Sequence, residues 1–235
     1  MSKKYLVITG GSRGIGLAIT KLFLEKRFQV INLSRNLCPL TDVVNIQMDL
    51  ATKGCEENFK KELLPQLKNA GRVILVHNAA RLDKDNVENI QASNLRDILE
   101  INVVVPTALN QIVIPNMSEG SAIIYVGSTL SEKAVPEAFS YVTSKHAAVG
   151  LMKATCQDLM DRGIHTACVC PGFTDTPMLR NHLNHDETII EQIKTMNAQN
   201  RLIKPTEIAA TIYFAATNPV INGAVIHANM GQKER

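Results

Sequence analysis

The 235-residue chain predicts an α/β fold, a doubly wound parallel sheet with helices on both faces. Three observations carry that prediction. Short apolar runs recur at 4–9, 28–33, 44–48, 72–77, 121–127, 165–170 and 223–228, each of strand length. The runs Tyr5 to Ile8 and Ala122 to Val126 are nearly continuous rather than alternating, as expected of strands covered on both faces. Between most of them lie stretches of helical periodicity, with no repeats and no low-complexity linker, so strand and helix alternate along the chain. At this length one α/β domain accounts for residues 1–235.

The first strand, Tyr5 to Ile8, runs into Thr9-Gly10-Gly11-Ser12-Arg13-Gly14-Ile15-Gly16, after which Ile15, Ala18, Ile19, Leu22 and Phe23 recur at helical spacing as far as Lys26. Glycines between a strand and a helix permit positive φ and let backbone N–H groups approach a pyrophosphate. Gly10, Ser12, Arg13, Gly14, Ile15 and Gly16 are therefore candidates for holding a dinucleotide, although a ligand-free tight turn would carry the same glycines. The second strand, Phe28 to Leu33, ends at Ser34-Arg35-Asn36. Dinucleotide folds that select NAD place a carboxylate there on the ribose 2′-hydroxyl. None is present, and Arg35 with Arg13 can clamp a 2′-phosphate by charge-assisted hydrogen bonds, which points to NADP(H). About ten residues link strands two and three, leaving little room for a helix.

Further along, Leu95, Ile98 and Leu99 define the buried stripe of a helix over 94–114, and Asn102 lies on that stripe. Pro106, four residues on, has no N–H for the Asn102 carbonyl, so a kink is expected. The freed carbonyl suits an ordered water that would connect Asn102 to Lys145; a core asparagine tied to a neighbouring loop is the other reading. The run Ala122 to Gly127 reads as a buried strand, and Ser128 follows at its carboxyl end, where open α/β sheets place ligands. Tyr141 and Lys145 stand four apart on a helix over 140–160, hence on one face. A free phenol titrates near ~10, and an ammonium one turn away favours the phenolate. Asn102, Ser128, Tyr141 and Lys145 are thus candidate catalytic residues for moving one proton at a carbonyl oxygen.

These motifs, in order and spacing, resemble the short-chain dehydrogenase/reductase family over essentially the whole chain, with the T-G-x-x-x-G-x-G turn, Asn102, Ser128 and the Y-x-x-x-K of Tyr141 to Lys145 as carriers. Other segments are similar too. Asp49-Leu50 resembles an adenine-contacting pair. Asn78-Ala79-Ala80 resembles part of an N-N-A-G segment, with His77 in place of its first Asn and Ala80 in place of Gly. Pro171-Gly172-Phe173-Thr174-Asp175-Thr176 resembles the segment around the nicotinamide, which adds Pro171, Gly172, Phe173, Thr174 and Thr176 to the cofactor set beside Tyr141 and Lys145. The resemblance implies the strand order 3-2-1-4-5-6-7, an NADP-dependent carbonyl reductase, and a homo-oligomer, tetramer or dimer. Open alternatives are an NAD-linked alcohol dehydrogenase, a 3-oxoacyl-carrier-protein reductase with an acidic carrier meeting Arg81, Lys133, Arg180 or Arg201, and a non-catalytic dinucleotide-binding regulator. His77 is either a structural strand-end residue or a pH-sensitive neighbour of the cofactor.

Composition narrows the partners to a small-molecule substrate. A net charge of +3, scattered lysines and 4% aromatic residues give no nucleic-acid surface. No leader pattern and no run of about 20 apolar residues is evident, so a cytoplasmic protein without a membrane segment is expected. Five cysteines without a C-x-x-C pair argue against disulfides or zinc; Cys168 and Cys170 should share one strand face. His182 and His185 with Asp186 and Glu187 read as helix surface rather than metal ligands. The long segment 173–204 suits a substrate lid, and 232–235 suits a frayed tail.

Overall fold

The computed structural model describes residues 3–52, 54–68 and 70–233. Seven parallel strands form one sheet in the order β3-β2-β1-β4-β5-β6-β7, with β1 Lys4–Thr9, β2 Gln29–Ser34, β3 Val43–Gln47, β4 Arg72–His77, β5 Ala122–Val126, β6 His165–Pro171 and β7 Ala224–Ala228. Each expected strand is present within one residue at either end. The register is continuous across the centre: Val7 lies beside Ile31 and Leu75, and Ile124 beside Val76 and Ala167. The order reverses between β1 and β4, which opens a crevice at their carboxyl ends.

Two helical layers cover the sheet. Ile19 and Phe23 of α1 (Gly14–Glu25) and Ile208 and Ile212 of α8 (Pro205–Thr217) pack with Leu6, Ile8, Ile74 and Ile124 on one face. On the other lie Phe59, Leu63 and Leu67, which follow the short α2 (Cys55–Asn58), with Leu109 and Val113 of α4 (Val105–Val113) and Met152 of α5 (Phe139–Asp158). Burial of each such side chain contributes about 1.5–3 kcal/mol. Between β2 and β3 the chain turns without a helix.

The helix expected over 94–114 is broken into three parts. After α3 (Ala92–Leu99) the residues Glu100–Val104 are π-helical, with Val105 N–H reaching the carbonyl of Glu100, before α4 begins. Pro106 offers no proton to Asn102, and the backbone accommodates this by widening one turn. Ala92–Asn116 spans 25 residues at a mean hydropathy of 1.5, long and apolar enough to cross a bilayer. Ile98, Val105, Leu109, Ile112 and Val113 are nevertheless buried within the protein, so the apolarity serves the core.

Residues 173–204 carry α6 (Pro177–His182) and α7 (Glu187–Lys194) around a small apolar cluster of Ile190, Ile193 and Leu202. Two backbone bonds close the base, Asp175 N–H to Ile203 O and Ile203 N–H to Phe173 O, each 2.9 Å. The tail differs from expectation. Lys233 N–H donates to Met196 O at 2.7 Å and Gln232 N–H to Asn229 O at 3.1 Å, so the chain stays docked there; Glu234 and Arg235 lie outside the described residues.

His77 ends β4 as part of a buried polar chain. Its Nε2 bonds Asn110 Oδ1 (2.8 Å), Asn110 Nδ2 donates to the Tyr125 hydroxyl (2.7 Å), and that hydroxyl meets Thr155 Oγ1 (3.1 Å). Because the Asn110 amide nitrogen is committed to Tyr125, His77 Nε2 carries the proton. Burial pushes the imidazole down to about 4 from its ordinary 6.5. Burial lowers His165 as well. The unfolded chain therefore binds protons that the folded His77 refuses, and stability is lost as pH falls from 6.5 toward 4. The loss assigned to His77 is about 3 kcal/mol. Urea unfolding at about pH 7.5 and about pH 4.5 checks this: His77→Asn should show a shallower acid loss than the wild type.

Candidate active site

At the carboxyl end of β1 the chain turns through Gly10 (φ +70°) and Gly14 (φ +54°), a backbone region that other residues enter only with strain. Gly16 is required for a different reason. A Cβ there would stand 2.0 Å from the Gly10 carbonyl oxygen. Neighbouring strands stitch the turn in place: Gly11 N–H donates to Asn32 Oδ1 (2.8 Å), and Asn78 Nδ2 donates to the carbonyls of Thr9 and Gly10 (3.0 Å each). Thr9 Oγ1 accepts the N–H groups of Asn78 and Ala79, also at 3.0 Å. Arg13, exposed and extended, precedes α1 without a side-chain cap, so Gly14, Ile15 and Gly16 present amides at a positive helix end. The donor set and the absence of Cβ atoms fit a pyrophosphate.

Beside this turn, the β2 end differs in detail from a simple binding trio. Ser34 is buried and its hydroxyl donates to Asn36 O (2.6 Å), while Gln47 Nε2 donates to Arg35 O (2.8 Å). The serine shapes the turn, and Arg35 and Asn36 stay exposed at the rim. Asp49 is exposed past β3, whereas the Leu50 side chain belongs to the core. Ala80 is half-buried just before Arg81. From β6, Pro171 leads into Gly172, whose N–H donates to Ala228 O (3.1 Å); Thr174 Oγ1 returns to Gly172 O (2.9 Å), and Phe173 packs on the cluster of 173–204. Thr176 caps α6 through Leu179 N–H (3.2 Å), and its methyl lies 3.4 Å from where a Cβ of Gly14 would stand. The segment from 171 to 176 thus reaches back to the glycine turn. Ser12 sits half-buried in that turn.

The downstream set converges on α5. Tyr141 and Lys145 are both buried, with the Lys145 ammonium 5.4 Å from the centre of the Tyr141 ring. That ammonium donates to Val126 O at 2.7 Å, two residues before Ser128. Ser128 Oγ accepts Leu130 N–H and Ser128 N–H donates to Ser131 Oγ, both 3.1 Å. The Ser128 hydroxyl proton remains available to a substrate oxygen. Behind this turn Cys168 and Cys170 share one strand face, Sγ to Sγ 3.8 Å, and only a glycine fits at 127, since a Cβ would meet their sulfurs at 2.7 and 2.8 Å. Their mutual contact and burial push the Cys168 thiol well above the usual thiol range.

Asn102 follows the second of its two sequence readings. Its side chain is tied to a loop, with Oδ1 accepting Arg81 N–H (2.8 Å) and Nδ2 donating to Arg81 O (3.0 Å) and Ser144 Oγ (2.9 Å). Its backbone carbonyl lies in the widened turn, four residues before Pro106, which has no N–H to give it. Ser144 in turn donates to Tyr141 O (2.8 Å), so Asn102 is linked to the tyrosine through one hydroxyl. Ser144, Asn32 and Ser131 escape sequence reasoning because nothing in their spacing separates them from ordinary helix and strand serines or asparagines. Of the histidines near α6, burial and the Lys84 charge lower His182, and His185 Nε2 bonds Asn181 Oδ1 at 2.9 Å.

Comparison with known proteins places this geometry. Residues 4–187 match the short chain dehydrogenase family. The chain is 28% identical over 236 residues to carbonyl reductase family member 4 of Xenopus laevis, covering 97% of each. It is 28% identical over 247 residues to a 3-oxoacyl-[acyl-carrier-protein] reductase of Staphylococcus epidermidis, covering 97% of this chain and 98% of the other. The ligand-free structure of Thermoplasma acidophilum aldohexose dehydrogenase superposes with a TM-score of 0.90 at 26% identity, over 98% of this chain and 94% of that one. With the sheet order, the glycine turn and the match over most of its length, the chain belongs to the short-chain dehydrogenase family and is an NAD(P)-dependent oxidoreductase acting on CH–OH and C=O groups.

Proposed function

We propose that the protein is an NADP-dependent carbonyl reductase in which Tyr141 donates the proton to the carbonyl oxygen. The observation that supports this reading most is the convergence of a buried phenol, a buried ammonium and a serine turn on one strand end. When bound, the dinucleotide supplies or accepts the hydride. Ser128 donates a hydrogen bond to the substrate oxygen as charge develops on it. Lys145, its ammonium held by the Val126 carbonyl, sets a positive charge beside the Tyr141 ring and would hold the nicotinamide ribose when the dinucleotide is bound. The Asn102 carbonyl anchors the water that returns a proton to Tyr141, while its side chain keeps α5 and the 81–85 loop in register.

The remaining site residues divide by the part of the dinucleotide each would hold. Gly10, Ser12, Gly14, Ile15 and Gly16 cradle the pyrophosphate. Asp49 and the Leu50 backbone would border the adenine, Arg13, Arg35 and Asn36 would hold the 2′-phosphate with Ser34 shaping their turn, and Asn78, Ala79, Ala80, Pro171, Gly172, Phe173, Thr174 and Thr176 would surround the nicotinamide end. We assign residues 173–204 as the substrate lid of a single domain spanning 1–235, in a cytoplasmic homo-oligomer. A small carbonyl compound is favoured over an acidic carrier protein. Arg81 pairs with Asp83 (2.6 Å), Arg180 with Asp175 (2.6 Å) and Arg201 with Glu207 (2.7 Å), so those guanidinium groups already have carboxylate partners.

Monitoring NADPH oxidation across ketones, aldehydes, quinones and 3-oxoacyl thioesters identifies the substrate class. Tyr141→Phe should lower turnover by roughly 10²–10⁴-fold while NADPH binding stays nearly intact; near wild-type turnover would remove the proton-donor role. Arg35→Ala should weaken NADPH about 10- to 100-fold and leave NADH unchanged, read by cofactor fluorescence titration. Equal or tighter binding of NADH by the wild type would defeat the NADP assignment.

A further inference from the structure

Helix α5 carries Tyr141 and Lys145 on its first two turns, yet it starts without a cap of its own. Ala138 precedes it and has no side-chain acceptor for the first amide protons. The acceptor comes from a residue 55 positions before Ser140. Asp85, only 7% exposed, takes the Ser140 N–H at Oδ1 (2.9 Å) and the Ser140 hydroxyl proton at Oδ2. The backbones join as well: Asp85 N–H donates to Glu137 O (3.3 Å) and Phe139 N–H to Asp85 O (3.2 Å), a one-residue parallel bridge against Ala138. At the other end of the same loop, Arg81 is held by Asn102, whose amide also reaches Ser144. Residues 81–85 thus form a strap fastened to α5 through Ser140 and again through Ser144, with Tyr141 between the two fastenings.

We propose that Asp85 is a positioning residue for proton transfer, fixing the start of α5 and with it the place of the Tyr141 phenol relative to Ser128. The inference rests on the reading of Tyr141 as proton donor. A carboxylate suits the task because its two oxygens accept an N–H and an O–H together, and its charge is favoured at a helix N-terminus. Removing it leaves two buried donors unpaired and lets the first turn fray. Tyr141 is the next residue, so fraying moves the phenol, and a shift of about 1 Å at a reacting group costs on the order of 10² in rate.

The test places Asp85→Ala, Asp85→Asn and Ser140→Ala in the wild type and in Tyr141→Phe. NADPH oxidation is followed with 9,10-phenanthrenequinone and acetoacetyl-coenzyme A as probe carbonyls, and hydrogen exchange is read at the amides of 139–145. Asp85→Ala should lower kcat about 10- to 100-fold, leave NADPH affinity within about twofold, and speed exchange at 140–142. Asp85→Asn keeps an acceptor for the Ser140 amide and should recover most of the rate; Ser140→Ala should lose less than Asp85→Ala, in the same direction, and reports on the strap if the alanine variant at 85 fails to fold. On the Tyr141→Phe background the substitutions should change the residual rate by less than about twofold, because the displaced group is already absent. Equal losses on both backgrounds, or unchanged exchange in the first turn of α5, would overturn the positioning role. Full activity of Tyr141→Phe alone would instead overturn the proton-donor reading, with the exchange data still deciding whether Asp85 holds the helix start.

Discussion

The structure turns on the hydrogen bond from the Lys145 ammonium to the Val126 carbonyl, 2.7 Å long and shielded from water. A buried ammonium is unfavourable unless its protons are accepted, and the backbone carbonyl at the end of β5 accepts one. The bond ties helix to sheet at the edge of the crevice. It thereby sets the distance between the serine turn on β5 and the phenol on α5, which no local preference of either segment controls.

Around that tie the molecule uses polar side chains to close gaps between elements rather than within them. Asn32 holds the glycine turn, Asn78 joins β4 to β1, Asn102 joins a loop to α5, and Asn222 accepts Thr166 N–H at 2.8 Å to place β7 beside β6. Each amide satisfies backbone groups that a crevice at strand ends would otherwise leave bare. The dry face below is almost wholly apolar, apart from the chain from His77 to Thr155, where every polar atom but one finds a neighbour.

The widened turn at Glu100–Val104 shows how one residue shapes a site. Pro106 is visible in the sequence, and so is the loss of the donor it implies for Asn102. A sharp kink and a π-helical turn are both answers to that loss, and the chain takes the second, with α3 and the widened turn packed on α5. The docked tail is a similar case, in which a distant acceptor, Met196 O, decides what a polar segment does.

By itself the amino-acid sequence determined the strands, the glycine turn and the helix on which Tyr141 and Lys145 share a face. Apolar run length, glycine position and i, i+4 spacing act over a few residues and can be read along the chain. Only the tertiary structure decided that Asp85 caps α5, that Ser144 joins Asn102 to Tyr141, and that three candidate arginines are already paired with carboxylates. Those contacts are made by common polar residues, two of them more than forty positions apart in the chain, and it is chain reversal and burial that choose their partners.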